Sequence, residues 1–197
     1  MRILRASDHK RMPWKNGKGE TVEIAVFPEA ATVDDFDWRI SMATVAEDGP
    51  FSVFADIDRT LSVLTGDGIA LSVAGEPDHI LRPDTPPHAF PADAVTSARL
   101  LSGPITDLNV MTRRGKFTHR VTVLPAGRSV MTSDNSDLTL VLSASNLVLN
   151  DGTAIGAYDA ILLHPGDSEI ELSQAPSSRT FLVRIASRQK ASVSLQV

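Results

Sequence analysis

An all-β chain made of two consecutive barrels is what the sequence predicts, and three observations predict it. Short runs rich in Leu, Ile and Val recur from end to end, Gly, Pro, Asp or Asn separates them, and helical periodicity is scarce. The clearest runs are Leu61 to Leu64, Ile69 to Val73, Leu138 to Leu142, Leu147 to Leu149, Ile161 to Leu163 and Phe181 to Ile185.

In chain order, the first element is a helical turn near Ser7 to Met12, which Ser7 or Asp8 can cap. Thr21-Val22-Glu23-Ile24-Ala25-Val26 and Trp38-Arg39-Ile40-Ser41-Met42 read as strands, with a short helical segment expected within Ala30 to Phe36. Thr65-Gly66-Asp67-Gly68, lying between two apolar runs, signals a hairpin. Asp107-Leu108-Asn109-Val110-Met111 is a further strand, and Asn150-Asp151-Gly152 closes a later run where positive φ is needed. A weak internal repeat of strand, hairpin, strand, turn and strand links Leu61 to Met111 with Leu138 to Ile185. The joint falls at Arg113-Arg114-Gly115-Lys116, so the expected units are residues 1–112, with the ligand pocket, and 113–197.

Composition narrows the function classes. The 197 residues suffice for one large domain or two small ones. A net charge of -5 and a pI near 5.5, with no dense Lys/Arg cluster, argue against nucleic acid as a partner. Absence of cysteine excludes disulfides, thiolate metal sites and cysteine nucleophiles. The N-terminal apolar run is too short for a signal peptide, and nowhere do about 18 apolar residues follow one another. A soluble, cytoplasmic protein without membrane contact is therefore expected. Exposed strand edges are compatible with a homodimer.

The functional clue is that three strands carry polar side chains at alternate positions. Successive side chains point to opposite faces, so Glu23, then Arg39 with Ser41, then Asp107 with Asn109 form polar rows behind apolar ones. Facing an enclosed space, such rows would bind a small polar molecule. Arg39 leads the candidates because its planar fork of donors matches a carboxylate. Ser41 and Asn109 add orienting donors and acceptors. Asp107 and Glu23 are counted among the ligand-binding residues, Asp107 as an acceptor for a ligand amide, and either can instead pair with Arg39 or act as a general base. Trp14-Lys15-Asn16-Gly17-Lys18-Gly19 offers an aromatic wall, a cation, a carboxamide and glycines that admit close backbone approach, which suits an anion-receiving loop. It lacks the spacing of a phosphate-binding loop. Arg59, after Asp56-Ile57-Asp58, can reach the mouth of the first barrel, but beside two aspartates the preferred reading is a solvated loop charge. Met12, Met42 and Met111 read as core fillers or apolar pocket walls.

Four blocks carry a resemblance: Met12-Pro13-Trp14-Lys15-Asn16-Gly17-Lys18-Gly19, Trp38-Arg39-Ile40-Ser41-Met42-Ala43-Thr44-Val45, Glu47-Asp48-Gly49-Pro50-Phe51-Ser52 and Asp107-Leu108-Asn109-Val110-Met111-Thr112-Arg113-Arg114-Gly115. In this order they closely resemble the HutD/Ves family. The resemblance implies a bicupin, two small RmlC-like β-barrels in one chain, associated with bacterial histidine utilisation. It also suggests an acidic pathway intermediate, such as a formylated glutamate or urocanate, as ligand. One departure is Lys18 within the usual glycine-rich run.

Many cupins hold a metal through a His-x-His pair, a glutamate and a later histidine. None of His9, His79, His88, His119 and His164 stands two residues from another, so no metal and no cofactor are expected. His164, before Pro165-Gly166-Asp167, reads as structural. No Gly-x-Ser-x-Gly element and no recognisable triad occur, so no catalytic residue is assigned. Two functions stay open: a metal-independent binding protein for a small anionic metabolite, which is preferred, and a cofactor-independent isomerase or hydrolase using Asp107 or Glu23 as base.

Overall fold

The structure is a computed structural model that describes residues 1–188 apart from 16, 18, 133–135 and 176. The chain begins with β1 (Arg2–Leu4) and then lays down β2 (Lys10–Pro13), β3 (Gly19–Phe27), β4 (Trp38–Val45), β5 (Gly49–Pro50), β6 (Ile57–Thr65), β7 (Ile69–Val73), β8 (His79–Leu81), β9 (His88–Pro91), β10 (Thr96–Leu100) and β11 (Ile105–Arg113). It closes with β12 (Phe117–Val123), β13 (Gly127–Met131), β14 (Leu138–Ser143), β15 (Leu147–Leu149), β16 (Ala154–Ile155), β17 (Ala160–Leu163), β18 (Ile170–Gln174) and β19 (Thr180–Ser187).

Two compact units result. One is Lys10–Lys116; the other joins Met1–His9 to the chain from Phe117 onward. The expected division into 1–112 and 113–197 is thus displaced, and the reason is edge pairing. β1 adds to the edge of β17 with Ile3 opposite Ile161, and Ile3 packs on the C-terminal core. Arg5 and the Ala6 amide both bond Asp159 at 2.7 Å, and His9 Nε2 lies 3.0 Å from the Tyr158 carbonyl. The leading residues therefore complete the C-terminal unit.

Each unit pairs two antiparallel sheets. Residues 10–116 form a six-stranded sheet, β2-β3-β4-β11-β6-β9, and a four-stranded one, β5-β10-β7-β8. The other unit has a five-stranded sheet, β1-β17-β14-β19-β12, and a four-stranded one, β13-β18-β15-β16. The hairpin between β6 and β7 turns at Gly66, where φ is +89° and an added Cβ would lie 2.6 Å from the Pro104 carbonyl oxygen. Only glycine fits there.

Helix is rarer than expected. The N-terminal turn is a 3-10 turn over Ala6–Asp8 with no side-chain cap, and Ala30 to Phe36 forms turns instead of a helical segment. Asp35 competes for the backbone there, accepting from the Thr32 amide at 2.6 Å. No helix among the described residues is long and apolar enough to cross a membrane.

Inside the first unit the interior divides. Val45, Leu61, Val63, Ile69, Leu71 and Phe90 pack a core at one end. Farther along the same faces of β4, β6 and β11, the side chains turn polar and surround a cavity.

Candidate functional site

Register brings the polar rows together. In β3, β4, β11 and β6, Glu23 stands opposite Ser41, Ser41 opposite Asn109, and Asn109 opposite Leu61. One step along, Arg39 pairs with Met111 and Met111 with Arg59. All these side chains share one face of a continuous sheet, as the period of two requires.

The cavity they line has a volume of about 570 Å³, within the ordinary range for small-molecule sites. Arg39, Ser41, Arg59 and Asn109 supply its polar floor, with Met111 beside them; Trp14, Phe51 and Phe54 supply aromatic wall, and Lys15 and Thr21 reach it from the β2–β3 side. Five expected residues therefore line the cavity: Trp14, Lys15, Arg39, Ser41 and Asn109. Asn16 lies outside the described residues.

Glu23 and Asp107 stand outside the lining. Glu23 Oε2 accepts from Arg39 Nε at 2.7 Å. Asp107 is fully buried; its Oδ1 accepts from Asn109 Nδ2 at 2.5 Å, while its Oδ2 has no hydrogen-bond partner. Burial pushes the Asp107 carboxyl up to about 6, opposed by the Arg59 charge and the Asn109 bond. Neither carboxylate forms part of the cavity wall, which disfavours both as bases acting on a bound molecule.

Arg59 is the residue that sequence reasoning missed. It is 7% exposed, not solvated. Its Nε donates to Asn109 Oδ1 at 2.8 Å, its Nη2 bonds the same oxygen, and its guanidinium lies 4.4 Å from the Phe51 ring centroid. The correction is physical: Arg59 occupies the third position of β6, two residues before core Leu61, so alternation turns it inward. That spacing from Leu61 and Val63 was the available signal. Desolvation, with Arg39 nearby, lowers the Arg59 pKa to about 10, while Asp107 opposes the shift.

Trp14 is fixed by a bond from its Nε1 to Thr21 Oγ1 at 2.9 Å. A Cβ on Gly19 would lie 2.1 Å from the Thr44 carbonyl oxygen and 3.0 Å from the Trp14 ring. Gly19 thus serves close packing under Trp14. Met12 and Met111 line the cavity, whereas Met42 is buried on the opposite face of β4.

The cavity lining contains no histidine, aspartate or glutamate among the described residues, so it does not fit the histidine-rich metal set of many cupins. Elsewhere in the unit, Glu76, His79 and His88 converge, the two histidines meeting across the proline-rich stretch that separates them in sequence, an outcome the sequence allowed but disfavoured. His164 donates its backbone N–H to Asp167 Oδ2 at 2.8 Å, as a strand-end turn requires.

Comparison with known proteins agrees with this architecture. An uncharacterized 21.2 kDa protein of the hutC 3' region of Pseudomonas putida is 34% identical over 192 residues, covering 95% of this chain and 98% of that one. Protein Ves of Citrobacter koseri is 39% identical over 120 residues, 59% of this chain and 61% of its own. The structure of HutD from Pseudomonas fluorescens SBW25, in a formate condition, superposes with a TM-score of 0.79 at 32% identity, covering 95% and 98% of the two chains. YhhW from Escherichia coli, at 11% identity, covers 93% and 96% with a TM-score of 0.64 and shows the shared bicupin fold alone. The HutD family model matches residues 6–181, and with nearly the whole chain so covered, this protein belongs to the HutD family.

Proposed function

We propose that the first unit is a receptor for a small carboxylate metabolite, held by Arg39 and Arg59 without a metal, in an accessory or regulatory role in histidine utilisation. The observation that carries this reading is the pair of arginines, each residue 7% exposed, in one cavity without an acidic side chain in its described lining. Two desolvated cations facing one space favour an anion there. Arg39 engages Glu23 through Nε, so its Nη edge is the part of the fork that a ligand carboxylate would meet. Ser41 and Asn109 orient the ligand, while Trp14 and Phe51 shield it.

The hutC-region location of the Pseudomonas putida relative supports the link to histidine breakdown. The formate condition of the Pseudomonas fluorescens structure is in keeping with a carboxylate site. Formylglutamate and urocanate are the candidate ligands, since each combines a carboxylate with a body that the cavity volume accommodates.

A thermal-shift screen with urocanate, formylglutamate, glutamate and formate tests the assignment. A ligand at a hundredfold its Kd stabilises the native state by about 2.7 kcal/mol. We expect a shift of that order with at least one carboxylate, and none with Arg39→Ala. Equal shifts in both proteins would refute the proposal.

A further inference from the structure

The second concentration of chemistry in this unit lies outside the cavity lining, where its two sheets meet at their ends. His79 opens β8, the last strand of the four-stranded sheet, and His88 opens β9, the last strand of the six-stranded sheet. His79 pairs with Leu71 and His88 with Leu61, and both leucines are fully buried in the same core cluster. Core packing therefore pulls the histidines together across the seam. Their ring centroids lie 4.0 Å apart, tilted by 40°. Glu76, in the turn after β7, sets its Oε2 3.3 Å from His79 Nε2 and 3.5 Å from His88 Nε2.

Three observations point to a ligand at this seam. Two imidazole nitrogens and a carboxylate oxygen make a donor set suited to zinc, nickel and similar divalent ions. Bonds of about 2.0–2.1 Å at tetrahedral angles place donor atoms about 3.3–3.4 Å apart. The measured 3.3 and 3.5 Å separations already approach that edge, and donor atoms of the three residues lie within 4.8 Å of one another. Finally, His88 Nε2 is buried and makes no close hydrogen bond, the Glu76 carboxylate oxygen standing 3.5 Å away, which leaves the nitrogen under-used where burial is costly.

We propose that Glu76, His79 and His88 bind one divalent transition-metal ion of the zinc or nickel class and so clip β8 to β9 across the two sheets. Three protein donors leave a fourth position for water. The ion's place is separate from the arginine-lined cavity, and its binding needs no carboxylate ligand.

The test uses full-length protein, freed of any polyhistidine tag and stripped with a chelator. It is titrated calorimetrically with zinc, with nickel and with magnesium as the hard-ion control. One equivalent of zinc or nickel per chain is expected, with no saturable magnesium binding and a rise in Tm on the order of 5 °C at saturating metal. Glu76→Gln and His79→Gln, at positions that are not buried, should each weaken binding at least tenfold and abolish the rise. His88→Gln should do the same; if it does not fold, the other two variants decide. Absence of saturable binding, or unchanged affinity in Glu76→Gln and His79→Gln, would overturn the proposal, because His9, His119 and His164 would then account for any uptake.

Discussion

Glu23 stands one diagonal step from Arg39 on the β3–β4 ladder. Its direct partner is Ser41, yet its Oε2 accepts from Arg39 Nε at 2.7 Å, with the two side chains 12% and 8% exposed. A bulge between Glu23 and Ala25 changes the register just beyond the contact. The pair supplies Arg39 with its counter-charge, and a bound carboxylate would add a second negative charge beside it.

Glu23→Gln separates these effects because it keeps shape and an acceptor while deleting the charge. An uncompensated buried charge costs about 3–5 kcal/mol when its partner is removed outright. The retained amide should bring the loss nearer the lower end. Carboxylate affinity should rise several-fold as the ligand takes over as counter-ion. Denaturant unfolding and calorimetry with formate read both, and a fall in affinity alongside stability would show that Glu23 serves to aim Arg39.

Arg59→Lys keeps the cation and removes the planar fork on Asn109 Oδ1 and the stacking over Phe51. Hydrogen bonds to charged groups contribute about 1.5–3 kcal/mol. A stability loss of about 2 kcal/mol and roughly tenfold weaker carboxylate binding are expected in urea melts and titrations. Wild-type behaviour in both would mean that the fork positions nothing.

Gly19→Ala forces a Cβ to within 2.1 Å of the Thr44 carbonyl oxygen, a backbone atom that cannot swing away. Overpacking ordinarily costs about 1–3 kcal/mol, and this contact belongs at the upper end. Trp14 should lose its seat against Thr21, so near-ultraviolet circular dichroism should change together with the melting temperature. An unaltered spectrum would dissociate Gly19 from the wall of the cavity.

Strand alternation made much of the fold legible. Ile69 to Val73 and Leu147 to Leu149 coincide with β7 and β15, because short apolar runs bounded by turn residues have few other places to go. Arg39, Ser41 and Asn109 were legible for the same reason. Arg59 was not, since the two aspartates just before it imitate a solvated loop and the spacing to Leu61 is what reveals an inward direction. The assignment of Met1–His9 rests on pairing with β17, more than 150 residues away, which no local pattern encodes. His79 and His88 meet for a comparable reason: their proximity arises from closure of two sheets, not from any short spacing.

Asp107 links the cavity to pH. Its folded pKa is raised from 3.8 to about 6, chiefly by burial and despite Arg59 and Asn109. With the folded value above the unfolded one, the stability associated with the neutral acid is fully present below about 4 and is lost as pH rises through about 6. A displacement from 3.8 to about 6 amounts to roughly 3 kcal/mol at most. Asp107→Asn removes the proton and leaves the shape, so the wild-type minus variant difference in unfolding free energy should fall by up to that amount between pH 4 and 7. The same charge opposes a bound anion. Neutral Asp107 leaves Arg59 without its negative neighbour, so carboxylate affinity should rise as pH drops from 7 to 5, with proton uptake on binding, and Asp107→Asn should bind with little pH dependence across that interval. Calorimetry in two buffers of different ionisation enthalpy measures the uptake directly. A flat wild-type profile, or a variant that retains the slope, would place the titrating group elsewhere.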